Sequence, residues 1–179
     1  MYPPGHVGLT AVLFAPLVCW FRLTGRERIA AECLVVAVAF SLVPDIDTLV
    51  PGIVHRGVTH TPLAAVVAGV VVAVVFRRHG VTALANTHPA LRWFVGVAGV
   101  GSHLLGDVVT PMGIQLLFPV GQTMYSLDVV RASSPLANAV LLLTGSAAVT
   151  IVYSVPAGTP STDREGTAEE LSLSPSSRR

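Results

Sequence analysis

The chain has 179 residues, 52% of them hydrophobic and only 12% charged, and its mean hydropathy is +0.69. A soluble domain is roughly 25% charged, so length and composition argue against a water-soluble globule and for one membrane-embedded bundle. A net charge of +1 leaves no concentrated basic patch of the kind nucleic acid requires, and two Cys within apolar runs are too few for a disulfide framework.

The opening Met1-Tyr2-Pro3-Pro4-Gly5-His6 lacks the basic region of a signal peptide, so the first apolar run, 7–21, is expected to be retained as a helix. A basic turn with Arg22, Arg26 and Arg28 follows. The second run, 29–43, stops at Pro44, whose ring and missing N–H disfavour further helix. Residues 45–61 form a polar loop, and Thr61-Pro62 has the form of an N-cap with proline at the first helical position. The third run, 62–76, ends at Arg77-Arg78. A connector, 81–90, leads to the fourth, 91–105, whose Gly96, Gly99 and Gly101 suit close helix packing in lipid. A long Pro- and Gly-containing segment, 108–134, precedes the fifth run, 135–155. The remainder, 156–179, has no apolar periodicity and reads as a disordered polar tail.

The expectation is an all-α, polytopic membrane protein with about five transmembrane helices in one domain, 1–155. The first three runs are only about fifteen residues, short of the roughly 20 that cross a bilayer, so polar flanks or local thinning must supply the rest. Alternating crossings put His6, the 45–61 loop and the His103–Asp107 end of the fourth helix on one side. Arg22, Arg26, Arg28, Arg77, Arg78 and Arg92 fall on the other. By the positive-inside rule the Arg-rich side is cytoplasmic, which places the tail inside and the His/Asp side outside.

Ionisable groups in so apolar a chain are costly and mark sites. His103 and Asp107 are four residues apart and share a helix face. Asp45 and Asp47 alternate about Ile46 after the helix stop, and two acids so close are stabilised by a cation. An Asp-x-Asp in a solvated turn is also common, so this motif alone is weak. His55 and His60 flank Gly57. Clustered His and carboxylate suit Zn or another divalent transition metal. The candidate ligands are therefore His6, Asp45, Asp47, His55, His60, His103 and Asp107, with Thr59, Ser102 and Thr110 as hydrogen-bond partners behind them. Asp47 could instead act as general base, and the planar fork of Arg56 suits a phosphate or carboxylate. Glu32, four residues after Arg28, reads as half of an i,i+4 pair.

Together, His6, Pro44-Asp45-Ile46-Asp47, His55-Arg56-Gly57-Val58-Thr59-His60-Thr61 and His103-Leu104-Leu105-Gly106-Asp107-Val108-Val109-Thr110-Pro111-Met112-Gly113 resemble the inner-membrane metal-dependent hydrolases of the YdjM type. The resemblance covers roughly 6–119 and implies a small helical membrane protein with a His/Asp metal centre and hydrolase activity. It also looks distantly similar to the zinc-dependent phospholipase C and P1 nuclease group, which implies phosphoester substrates. Gly106 stands where a larger apolar residue is expected, and Thr61 where Ser is commoner. The reading is a membrane-bound hydrolase holding one to three divalent ions, Zn first among them, with the bilayer and a lipid or phosphoester substrate as partners. The 108–134 segment is a candidate lid. The alternative is an ion transporter or a metal-binding membrane module, which should carry polar groups deep in several helices. Here they gather at one end.

Overall fold

A computed structural model describes residues 1–52, 54–79 and 82–159, with the side chains of 78 and 79 excepted; the tail expected over 156–179 lies, from 160 onward, outside the described residues. Among these residues the chain forms five α-helices: α1 Pro3–Leu23, α2 Glu27–Ser41, α3 Pro62–His79, α4 Pro89–Val108 and α5 Pro135–Ser154. Short 3-10 turns cover Pro44–Leu49, Val58–His60 and Leu84–Asn86. The only β pairing among the described residues is an isolated antiparallel bridge between Ile114 and Tyr125. The all-α architecture stands.

Local sequence sets the helix ends. Proline occupies the first turn of α1, α4 and α5, where its missing N–H is no loss. The Thr61 hydroxyl accepts from the Ala64 N–H at 3.1 Å and the Ser134 hydroxyl from the Ala137 N–H at 3.3 Å, each satisfying an orphan donor. The α1–α2 turn is a Schellman closure: Gly25 takes φ +72°, Arg26 N–H reaches Phe21 O at 2.8 Å and Gly25 N–H reaches Arg22 O at 3.0 Å. Helix therefore continues through polar flanks on both sides of the first apolar run. That is why α1 has 21 residues, and α2 with its following turn 23, where the apolar runs alone have about fifteen. These two and α5 are long and apolar enough to cross a membrane; α3 carries a shorter apolar stretch, Pro62–Arg77. In α4, Arg92, His103 and Asp107 interrupt the apolar sequence.

α1 and α4 form the centre. α2 packs against both, α5 against α1, and α3 against α4. The α1–α5 contact rests on two glycines facing one another: a Cβ on Gly8 would stand 2.2 Å from Leu141 O, and one on Gly145 2.4 Å from Gly8 O. Backbones approach that closely only without side chains. At the Arg-rich end, Arg22 donates to Tyr153 O and Val155 O at 3.3 and 3.0 Å, neutralising carbonyls at the end of α5. Glu32 accepts from the backbone N–H groups of Ala83 and Leu84 at 2.9 and 2.6 Å. Its partner is thus this connector and not Arg28, because the connector's free N–H groups fold down onto α2.

At the other end, the 108–134 segment folds over the C-terminus of α4. Leu127 N–H bonds Val108 O at 2.8 Å and Val129 N–H bonds Val109 O at 2.9 Å, so α4's last carbonyls are satisfied before they meet lipid. The start of α1, the end of α2, the start of α3 and the end of α4 all meet beneath this segment.

Candidate metal centre

Two buried histidines face one another here. His60 comes from the short turn before α3 and His103 from α4; both are fully buried, and their Nε2 atoms are 3.1 Å apart. The network fixes their tautomers. His103 Nδ1 lies 2.7 Å from Ser41 O, and a carbonyl only accepts, so Nδ1 carries the proton. His60 Nδ1 lies 3.2 Å from Asp47 Oδ2 and 2.9 Å from Thr59 Oγ1. Thr59 spends its own proton on Asp47 Oδ2 at 2.7 Å, so His60 Nδ1 is a donor as well. In neutral rings both Nε2 atoms then present bare lone pairs to each other.

Carboxylates flank that pair. Asp45 Oδ1 is 3.5 Å from His60 Nε2 and 3.5 Å from His103 Nε2. Asp107 Oδ2 stands at 3.5 Å from the same two atoms, and it has no hydrogen-bond partner among the described residues. The result is two triangles of donor atoms sharing the His60–His103 edge, with sides of 3.1–3.5 Å. Ligand atoms around a tetrahedral ion with bonds of about 2.0–2.1 Å are about 3.3–3.4 Å apart. In each triangle the acceptors face one another without a proton between them, and such a set could hold a cation.

The remaining sequence candidates are at the same end. The His6 ring stacks on His103 with centroids 3.8 Å apart, its Nε2 facing Met1 O at 3.0 Å and Asp107 Oδ1 at 3.5 Å. Gly106 explains the closeness: a Cβ there would lie 3.0 Å from His6 Nδ1, so the larger residue expected at this position would push the ring away. His55, half-exposed, pairs through Nδ1 with Asp47 Oδ1 at 2.8 Å. The groups His6–His103–Asp107, Asp45–His60–His103 and Asp47–His55–His60 each bring their ligand atoms within 4.8 Å, forming one run of potential ligands from α1 to the loop.

Asp47 also accepts from the Arg56 N–H at 3.2 Å, so both its oxygens are engaged behind the two histidines. Arg56 departs from the sequence reading. Its guanidinium is 4% exposed and donates to Asp107 Oδ1 at 3.1 Å, Gly113 O at 2.8 Å and Thr110 Oγ1 at 3.0 Å. It pairs with and orients Asp107. Its backbone sits at φ +64°, a left-handed conformation that costs about 1–2 kcal/mol for an L-residue and is held here by those contacts. The N-terminal amine of Met1 also pairs with Asp107 Oδ1. Thr110 donates to Asp107 O at 2.8 Å. Ser102 lies lower, at 2.6 Å from Thr10 Oγ1, tying α4 to α1 and not touching the ligand atoms. The Ser41 and Gly113 carbonyls had no sequence signal, since any residue supplies a carbonyl.

The family described as YdjM inner membrane protein matches residues 1–162. No curated protein and no solved structure matches the chain. The match spans all five helices, and the chain belongs to the YdjM inner membrane protein family.

Proposed function

We propose that this inner membrane protein is a metal-dependent hydrolase acting on a phosphoester or lipid-type substrate at the outer membrane–water boundary. The observation that carries the reading is the pair of bare imidazole nitrogens at 3.1 Å between two carboxylates, at one end of a largely apolar bundle. His60, His103, Asp45 and Asp107 would hold the ion, with zinc the best fit to two imidazoles and two carboxylates. His6 and His55, at the two ends of the ligand run, are the positions from which further ions would be held. A bound divalent ion supplies Lewis acidity toward a phosphoryl or acyl oxygen and a nucleophile from water at neutral pH.

The protein's own groups supply the rest. Asp47 fixes the His60 ring and holds His55 by Nδ1, an arrangement that orients an imidazole and sets its tautomer. His55 is the exposed member, so its Nε2 is the group placed to accept a proton from outside the cage. Arg56 holds Asp107 by Oδ1 and leaves Oδ2 aimed inward. Of the four proposed ligands only Asp45 is reachable, 24% exposed against 0–1% for the others, so substrate approaches from its side. The Arg-rich end faces the cytoplasm by the positive-inside rule, which puts the centre outside. A membrane-impermeant maleimide should therefore label Val120→Cys, in the fully exposed part of the 108–134 segment, in right-side-out vesicles; labelling only in inverted vesicles reverses the orientation.

The deciding experiment is elemental analysis of detergent-purified protein beside His60→Ala and His103→Ala, followed by assay of bis(4-nitrophenyl) phosphate with Zn²⁺ or Mn²⁺. Bound metal that both variants lose, and turnover that chelation abolishes, are expected. A folded protein that stays metal-free after reconstitution sinks the reading.

A further inference from the structure

α2 and α3 both pack on α4 and leave between them a groove of about 290 Å³. Its walls are Phe40 and Val43 from the α2 side and Val67 and Val71 from α3, and Val100 of α4 forms its floor. Val67 and Val71 are half-exposed along its outer edge, and α2 is one of the membrane-length helices. The groove's open side therefore faces hydrocarbon. Its upper end is closed by Pro44 and Thr59. Pro44 precedes Asp45, the one exposed cage ligand, and the Thr59 hydroxyl sits 2.9 Å from His60 Nδ1. The apolar groove thus ends one residue from Asp45 and beside the hydroxyl that contacts His60.

We propose that this groove seats the hydrocarbon chain of an amphiphilic substrate whose phosphoester head lies at the cage. The assignment of a head group rests on the hydrolase reading; the seat for a single chain does not. A second copy of the protein could cover an apolar face, but it would not account for a groove that ends at the reachable ligand. The lining offers no polar partner below Thr59, which suits methylenes and excludes a sugar or peptide.

Two readouts separate the chain seat from the chemistry. The first is photolabelling of detergent-purified protein with dodecyl phosphate bearing a terminal diazirine. Labels should concentrate on Val67, Val71 and Val100 and fall at least about fivefold in Ala64→Phe, which narrows the groove beside Thr59, while Val75→Phe, on the same helix outside the groove, should leave them unchanged. Labelling spread equally over α5, or indifferent to Ala64→Phe, overturns the proposal. So does disulfide dimerisation of Val67→Cys in membranes, which would seat a second copy there. The second readout compares Zn-loaded hydrolysis of butyl and dodecyl 4-nitrophenyl phosphate at monomeric concentrations. Water adds at phosphorus and the bond to nitrophenolate breaks in both. A buried methylene is worth a factor of up to about four, so partial burial should lower KM at least roughly tenfold for the longer chain, and Ala64→Phe should erase that difference. No turnover of either ester with labelling intact refutes the hydrolase and leaves the groove standing. Turnover with no chain-length effect refutes the groove alone.

Discussion

α4 and α5 look alike by the ordinary measures: 20 residues each, each opened by proline and a side-chain cap, and each rich in small apolar residues. Yet α4 buries ten of its residues, including Arg92, Ser102, His103 and Asp107. α5 buries three, Asn138, Gly145 and Val152, and turns Leu136, Leu143 and Ile151 outward. The contrast teaches how a bundle this small carries polar chemistry in a membrane. One helix is enclosed by its neighbours so that its ionisable groups meet partners and not lipid. Another is spent as a cover whose apolar surface makes that enclosure possible.

The sharpest break in this comparison is Asp107→Ala. It removes a proposed ligand and leaves the Arg56 guanidinium buried opposite no carboxylate, a loss of about 3–5 kcal/mol for a split buried pair. Thermal unfolding in detergent should show a large fall in midpoint together with loss of metal. Asp107→Asn keeps the shape and should lose the metal with a smaller fall. Equal metal content in all three proteins would mean that α4 does not carry the centre.

A milder break lies on α5. Gly145→Leu places a side chain where even a Cβ would stand 2.4 Å from Gly8 O, and overpacking of this kind costs about 1–3 kcal/mol. The midpoint should drop while metal content holds, because no ligand comes from α5. Loss of metal in this variant would show that the cover and the centre are one cooperative unit.

Much of this was legible in the residues. The helix count and the gathering of His6, Asp45, His60, His103 and Asp107 at one end follow from apolar runs separated by polar turns. The i,i+4 spacing alone puts His103 and Asp107 on one face. What stayed hidden was direction. Nothing in the string 55–61 says that Arg56 adopts a left-handed backbone and turns its guanidinium inward to Asp107. Nothing around Glu32 says that it meets a connector fifty residues away. Such choices are made by tertiary partners, and a backbone carbonyl such as that of Ser41, which decides the tautomer of His103, leaves no mark in sequence.

The gentlest prediction uses one substitution in two places. Leu104 on α4 is 7% exposed and packs with Ala65, Ala68, Val100 and Ile114. Leu143 on α5 is 68% exposed. Truncating a buried leucine to alanine costs about 2–5 kcal/mol through lost contacts and the cavity left behind. A lipid-facing leucine loses little, because hydrocarbon tails replace the missing atoms and no hydrophobic driving force acts between helix and lipid; an effect within about 0.5 kcal/mol is expected there. Leu104→Ala should therefore lower the unfolding midpoint clearly and Leu143→Ala hardly at all, both with metal retained. A comparable drop in Leu143→Ala would mean that the outer face of α5 is packed against protein, and the cover would then be an interface in its own right.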